Sequence, residues 1–242
     1  MSRLILPILT MLLLSSCASY QYFTIDSSQL PKNDQQGFVM ENDTMQLSYS
    51  FTGSGGPLTI TVLNKTDQPL MIDWNKSSLI CNDQSYLLAQ TSSTFTASAV
   101  GNKTGITALT GTVSVVPASE IVPAKTKVSR PTIDLDWTLV PGKIILPDTA
   151  SKQLTEAPDG SLISYKGVSV DENQSPLRLK SYITFTIGPG AGTEFVESHS
   201  FYIAKMLQTR YSPKQFYLYQ PTGDQFYFTW QDQQLIKSSG IQ

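Results

Sequence analysis

The sequence is poor in the residues that most often carry catalysis and metal binding. Among 242 residues there are one histidine, His199, and two cysteines, Cys17 and Cys81. So few imidazole and thiol ligands cannot make a zinc or copper site alone, and we expect no metal and no cofactor. The 17 basic residues are outnumbered by 19 acidic ones. No basic surface for binding nucleic acid is therefore indicated.

The sequence also lacks an apolar run long enough to span a bilayer as a helix. The longest run, Leu4–Leu14, follows Arg3 and is broken by Pro7 and Thr10. It has the length of the hydrophobic region of a secretory signal peptide. The run ends in Leu14-Ser15-Ser16-Cys17, which resembles the lipobox of bacterial lipoproteins.

This resemblance implies a processed and lipidated N-terminus. Residues 1–16 are expected to be removed as a signal peptide, and Cys17 is expected to carry acyl chains such as palmitate. Each buried methylene contributes about 0.8 kcal/mol, so one chain binds a membrane marginally and several bind it stably. Residues 17–19 would form a lipidated tether on the membrane. The implied location is the bacterial cell envelope, with the outer membrane as the expected site and its side left open.

Acylation of Cys17 also excludes a disulfide within the chain. Cys81 follows Ser78, Leu79 and Ile80 in a segment that is typical of a strand. A reactive thiol needs neighbouring positive charge to lower its pKa, and the residues that follow Cys81 are Asn82 and Asp83. We therefore expect a buried, inert thiol.

Alternation of apolar and polar residues dominates the rest of the chain and predicts half-buried β-strands. The apolar positions of these predicted strands are Met45, Leu47, Tyr49 and Phe51; Leu58, Ile60 and Val62; Leu70, Ile72 and Trp74; and Leu177, Leu179, Ile183, Phe185 and Ile187. Turn sequences separate them at 53–57, 64–69, 188–192 and 221–224. Short strands punctuated by turns favour an all-β, antiparallel β-sandwich, with one domain over residues 20–242.

Two segments interrupt this rhythm and are predicted to be long loop insertions. Residues 91–119 are rich in Ser and Thr and hold a single charge, Lys103, so they can bury little surface. A hairpin near Thr112–Val116 is a possibility that the pattern leaves open. Residues 147–174 contain Pro147, Pro158 and several charges, and they are interpreted as a second long loop.

Two stretches carry a resemblance to a known class of proteins. Leu58–Trp74 contains the turn Asn64-Lys-Thr-Asp-Gln-Pro-Leu70, and Glu120–Thr126 reads Glu-Ile-Val-Pro-Ala-Lys-Thr. Both are similar to immunoglobulin-like extracytoplasmic domains, in which such a turn joins strands B and C. With the start at Cys17, residues 17–135 resemble lipidated extracytoplasmic proteins of Bacteroides-type bacteria with an immunoglobulin-like β-sandwich. The resemblance implies a fold and a location, and no activity.

The candidates for catalysis are weak, so we predict no enzyme and no catalytic residue. His199 stands between Ser198 and Ser200, whose hydroxyls would point to the opposite face of a strand. Asp134 and Asp136 share a strand face, which is compatible with calcium or with a pair of glycosidase carboxylates. A solvated strand face is the simpler interpretation of this pair.

Aromatic residues are the remaining candidates for binding. If Phe226, Phe228 and Trp230 face the core, tyrosines nearby point outward, where rings can stack on sugars or seal a protein interface. The possible stacking residues are Trp74, Trp137, Tyr217, Tyr219, Tyr227 and Trp230. Asp43-Thr44-Met45 and Asp148-Thr149-Ala150 resemble O-glycosylation sites of Bacteroides-type bacteria, with Thr44 and Thr149 as acceptors.

Three functional hypotheses follow from these observations. The first is an envelope lipoprotein that binds a protein partner or takes part in an assembly without catalysis. The second is a glycan-binding surface lipoprotein that uses exposed aromatic rings. The third, a hydrolase, is disfavoured because it depends on Asp134 and Asp136 alone.

Overall fold

The computed structural model describes residues 19–89, 100–101, 107–108, 118–135, 146–188 and 192–229. This part of the chain holds sixteen β-strands, one short 3₁₀ helix at Glu172–Gln174 and no α-helix. The strands are β1 Tyr20–Asp26, β2 Phe38–Glu41, β3 Met45–Phe51, β4 Gly53–Ser54, β5 Pro57–Asn64, β6 Leu70–Cys81, β7 Gln84–Leu87, β8 Val100–Gly101, β9 Thr107–Ala108, β10 Ser119–Val122, β11 Lys127–Asp134, β12 Ser151–Glu156, β13 Leu162–Ser169, β14 Arg178–Ile187, β15 Thr193–Thr209 and β16 Gln225–Thr229.

Two sheets form the domain. The large sheet has the order β10-β6-β14-β15-β1-β16-β4, with β7 added to β6 and the β12–β13 hairpin added to β15 through β13. The small sheet has the order β11-β5-β3-β2, and β8 and β9 form a separate two-stranded ladder. Among the described pairs only β16 with β4 is parallel. The all-β class and the antiparallel sandwich predicted from the alternation are confirmed.

The core lies between the inner faces of the two sheets. On the small sheet, the alternate residues of β3 and β5 are buried, as their apolar pattern predicts. Phe201 of the large sheet packs against the rings of Tyr49, Phe51 and Phe38, with centroids 4.9, 5.3 and 5.2 Å away. Each fully buried ring of this kind contributes about 1.5–3 kcal/mol to stability through the area that it removes from water.

Strand β14 departs from the predicted alternation. Ile183 and Phe185 are buried as expected, but Thr184 and Thr186 are buried too. The register between β14 and β6 shifts between Tyr182 and Thr184. At this irregularity the Thr184 amide donates to the Ser77 hydroxyl at 3.0 Å. The prediction that Thr184 and Thr186 face water was therefore wrong.

The predicted loop at 147–174 was also wrong, because it contains the β12–β13 hairpin. The turn is closed by the Ala157 and Gly160 amides, which donate to the Ser161 and Ala157 carbonyl oxygens at 2.8 Å. The turn at 221–224 was predicted to separate two strands, but the aromatic segment before it, Phe216–Tyr219, forms turns, in which the Tyr219 amide donates to the Phe216 carbonyl at 2.9 Å. The possible hairpin at 112–116 lies outside the described residues.

The hairpin and these turns enclose a second, smaller core on the outer face of the large sheet. Its buried residues are Tyr22, Ile163, Leu207, Phe216 and Tyr219. The Tyr22 ring lies 4.8 Å from Phe216 and 5.2 Å from Tyr219, measured between centroids. The large sheet is therefore packed on both faces at the end where β1 begins.

Candidate functional site

The candidate stacking residue Trp74 is not available to a ligand. Its side chain is 1% exposed, its indole N–H donates to Glu120 Oε2 at 3.1 Å, and the Arg130 guanidinium lies 4.6 Å from its ring centroid. Trp74 therefore belongs to the core, where Glu120 and Arg130 cover its edge and face. Trp137 and Trp230 lie outside the described residues.

The candidate tyrosines belong to the second core or flank it. Tyr219 is 9% exposed and buried, so its ring does not face water as the outward interpretation required. Tyr217 and Tyr227 are partly buried against the same cluster, and the Tyr217 hydroxyl hydrogen-bonds the Thr155 hydroxyl. Phe226 and Phe228 face the main core. These rings pack against one another and form no open platform for a sugar.

His199 lies on β15 and is buried between the two sheets. Its Nδ1 lies 3.0 Å from the Tyr49 hydroxyl oxygen, which also accepts a hydrogen bond from the Ser181 hydroxyl at 3.0 Å. Burial lowers the pKa of His199 and raises that of Tyr49. Ser181 lies opposite His199 in the β14–β15 register, so the strand neighbours Ser198 and Ser200 are not the hydroxyls of this group.

The remaining sequence candidates are Asp134, Asp136 and Cys81. Asp134 ends β11 opposite Pro57, and Asp136 lies outside the described residues. Within the described ranges no three His, Cys, Asp or Glu side chains are grouped closely enough to hold a metal ion. Cys81 is 2% exposed, and burial raises the pKa of its thiol to about 11.

The two possible glycosylation sites differ in accessibility. Thr149 is exposed in the turn before β12, where the Ala150 amide donates to the Pro147 carbonyl at 2.8 Å. Thr44 is half-buried in the β2–β3 turn, and its amide donates to Asn42 Oδ1 at 2.9 Å. Thr149 is the more accessible acceptor.

A polar cleft of about 540 Å³ lies on the outer face of the small sheet. Its floor is made by the outward residues of paired strands, with Ser48 opposite Thr61 and Ser50 opposite Thr59. Lys127 of β11 adds one positive charge at its side. Small hydroxyls at every one of these positions leave a shallow trough where longer side chains would fill the space.

Two loops from distant parts of the chain form the rim of the cleft. One contains Asn33, Gln35 and Gly37, and the other is Pro221–Gly223. The Gly223 amide donates to the Gln35 carbonyl at 2.9 Å. A side chain at 223 would place its Cβ 2.7 Å from the backbone of Gly37, so glycine is required for the loops to meet.

The cleft was not predicted, because in the sequence its residues alternate like the solvent-facing side of two half-buried strands. A signal was present in the type of those residues: Ser48, Ser50, Thr59 and Thr61 are all small hydroxyls, where an ordinary solvated face carries Lys, Glu and Arg. The rim could not be found in this way, because its two loops are brought together only by the fold.

Comparison with known protein families, with curated proteins and with solved structures finds no match for this chain. Among the described residues, no helix is both long enough and apolar enough to cross a bilayer. The fold and the geometry of the cleft are therefore the basis for a functional proposal.

Proposed function

We propose that this chain is a lipid-anchored protein of the bacterial envelope, whose immunoglobulin-like domain binds a protein partner without catalysing a reaction. The anchor is Cys17, which lies outside the described residues. In support, the described chain enters β1 at Tyr20, so only Ala18 and Ser19 separate the acylated residue from the sheet. The domain would be held close to the outer membrane.

The strand order supports the immunoglobulin-like assignment. The Asn64–Leu70 turn joins β5 of the small sheet to β6 of the large sheet, as strands B and C of an immunoglobulin domain lie in different sheets. β11 pairs with β5 as strand E pairs with B, and β14 lies between β6 and β15 as strand F lies between C and G. Strands β1, β16 and β13 then extend the sheet beyond the strand in the position of G.

Asn64 explains why the turn sequence suits this change of sheet. Its buried amide donates to the carbonyl oxygens of Gln68, Val122 and Pro123 at 2.8, 3.0 and 3.2 Å. Its Oδ1 accepts from the amide and hydroxyl of Thr66 at 2.9 and 2.8 Å. One side chain thus provides hydrogen-bond partners for backbone groups of the turn and of the end of β10.

The chemistry of the cleft lining carries the proposal of binding without catalysis. The lining offers hydroxyls, amides and the Lys127 ammonium, and it includes no carboxylate and no imidazole. Such a surface donates and accepts hydrogen bonds, but it lacks the carboxylate or imidazole that most often acts as a general acid or base. A shallow, polar trough on a sheet face suits a polar or acidic segment of another envelope protein.

Glycan binding is less well supported by the same surface. Sugar sites commonly stack a pyranose on an aromatic ring, and the one aromatic residue in the lining, Tyr49, directs its side chain into the core. The cleft can hydrogen-bond a sugar but has no ring on which to place it. We therefore rank a protein partner above a glycan.

Site-specific photo-crosslinking in the native envelope tests the binding proposal. A photoreactive residue at Thr61, in the cleft, is compared with one at Thr193, which is exposed on the other sheet. We expect a discrete protein adduct from position 61 only, and its loss with Lys127→Glu. No adduct at 61, together with glycan binding that Thr61→Arg abolishes, would reverse the ranking.

The anchor is tested separately by fractionation. The natural protein should remain with membranes after salt washing, and the mature N-terminal peptide should carry the mass of acyl chains on Cys17. A Cys17→Ser protein should be released. Retention of the Cys17→Ser protein on washed membranes would contradict the lipid anchor.

A further inference from the structure

An exposed surface that combines leucines with basic residues lies at the end of the large sheet where β1 begins. Ser19 accepts a hydrogen bond from Gln208 Nε2 at 3.4 Å, and Tyr20 lies opposite Thr209. On the other side of β15, Lys166 lies opposite the same Gln208. The start of β1 and the β12–β13 hairpin are therefore separated by a single strand, about 10 Å in all.

Register places several side chains of the hairpin on one face. Lys152 lies opposite Lys166, Leu154 opposite Ser164, and Glu156 opposite Leu162. Because opposed residues and residues two apart share a face, these six side chains project to the same side. We call the face formed by these six side chains, together with Arg210 in the groove beside Lys152 and Lys166, the hairpin face.

The hairpin face combines two exposed leucines with a basic groove, and Glu156 lies beside Leu162 near the tip of the hairpin. Leu154 and Leu162 are each 65% exposed, although the second core would have been available to bury them on the opposite face. Beside them lies a groove of about 450 Å³ that includes Lys152, Lys166 and Arg210 and no acidic residue. Glu156 and Asp159 lie at the tip of the hairpin, so the positive charge is concentrated in the groove.

From this arrangement we infer that the hairpin face docks on the membrane surface that holds the anchor, with the groove taking an anionic phospholipid headgroup. The inference rests on the lipid anchor of the proposed function. Cys17 is two residues from Ser19, a reach of at most about 7 Å, so the acyl chains enter the bilayer beside this face.

The charges and the side chains both match a lipid surface. The protein without residues 1–16 has 16 basic and 19 acidic residues and is negative as a whole, yet the groove presents three basic residues together. Basic residues next to a lipid anchor are attracted to anionic headgroups. Leu154 and Leu162 then enter the acyl boundary.

The test measures the depth of single positions in the lipidated protein. Cysteines at Leu154 and Leu162 are labelled with a polarity-sensitive fluorophore; Cys17 is blocked by its lipid, and Cys81 is buried. The control is Val196, which is 53% exposed and lies thirteen residues before Thr209 on β15, roughly 40 Å from the anchored end. Each protein is placed in phosphatidylethanolamine–phosphatidylglycerol vesicles that contain a lipid-attached quencher.

We expect strong quenching at 154 and 162 and little at 196. We also expect weaker quenching at 154 and 162 when phosphatidylglycerol is omitted or when Lys152→Glu and Lys166→Glu are introduced. The same two changes should lower the partition of unlipidated Cys17→Ser protein onto these vesicles by about tenfold or more. Inorganic phosphate should not reduce the binding of the protein to these vesicles, because the groove binds the headgroup as part of a lipid surface.

Flotation of the vesicles distinguishes failure of the docked hairpin face from failure of the lipid anchor. Protein that floats, but whose labels at 154 and 162 are no more quenched than at 196, retains the anchor and overturns the docked face. Protein that does not float overturns the anchor, and the docked face with it. Quenching at 154 that is unchanged by the two charge reversals would overturn the role of the groove.

Discussion

The Nδ1 atom of His199 lies 3.0 Å from the hydroxyl oxygen of Tyr49, and this contact joins the two sheets through the core. Ser181 donates to the same tyrosine oxygen, which leaves the tyrosine proton to be donated to Nδ1. Nδ1 accepts that proton in the neutral Nε2–H tautomer of His199, the charge state that burial favours by lowering the pKa of His199. The sandwich therefore contains a polar link that depends on one protonation state.

Tyr49→Phe should destabilise the protein by about 1–3 kcal/mol, because it leaves the Ser181 hydroxyl and His199 Nδ1 buried without this partner. Urea unfolding followed by circular dichroism measures the change. Tyr86→Phe is the matched control, since Tyr86 is only partly buried and bonds Gln84 within its own hairpin; it should change stability by at most about 0.5 kcal/mol. Equal losses in the two variants would contradict the role of the link.

Acid should weaken the fold through His199. Burial holds the pKa of His199 below its ordinary 6.5, so the unfolded chain binds the proton more readily than the folded one. The contribution of neutral His199 to the free energy of unfolding is fully present above about pH 6.5. It is lost as the pH falls toward the pKa of His199 in the folded protein.

The free energy of unfolding, measured against pH in the natural protein and in His199→Gln, isolates this effect. Burial raises the pKa of Glu197, which costs stability as the pH rises, but that contribution is present in both proteins and cancels in the difference. The difference should shrink on acidification below pH 6.5. A difference that is independent of pH would show that His199 does not titrate with unfolding.

Gly167→Ala should destabilise the β12–β13 hairpin by about 1–3 kcal/mol through overpacking. The new methyl group would lie 2.7 Å from Leu207 Cδ2 and 3.2 Å from Tyr165 Cε2. Leu207→Val removes the closer contact, so the double variant should lose less than the sum of the two single changes. Strict additivity in thermal or urea unfolding would exclude the clash as the cause.

The thiol of Cys81 should resist alkylation in the folded protein. It is 2% exposed, and burial raises its pKa to about 11, so little thiolate is present near neutral pH. Modification by iodoacetamide at pH 8, followed by mass spectrometry, should be slow in buffer and rapid in urea. A thiol placed at Leu154 should react rapidly in both, and similar rates for the two thiols in buffer would disprove the burial of Cys81.

The strands that alternate cleanly were predictable, and the polar elements were not. β3 and β5 have one face in the core and one in water, so their sequence carries the period of two from Met45 to Phe51 and from Leu58 to Val62. β12 has no such period, since Leu154 faces solvent and the strand is held by pairing with β13. Its formation depends on contacts distant in sequence.

The same limit applies to the buried histidine and the cleft. The β14–β15 register places Ser181 opposite His199, and the packing of the two sheets brings the Tyr49 hydroxyl to Nδ1. No local pattern in the sequence contains either relationship. The cleft depends on Gly37 and Gly223, which approach each other from opposite ends of the chain. The individual residue types were visible in the sequence, but their proximity required the fold.

The position of β1 has a mechanical consequence. This first strand is paired along its length on both sides, with β15 and with β16. A load applied at Ser19 along the strand axis is shared by hydrogen bonds that must break together, whereas a load across an edge strand would open its bonds one at a time. The N-terminal end of the domain is thus held against pulling along β1 by two ladders of hydrogen bonds loaded in parallel.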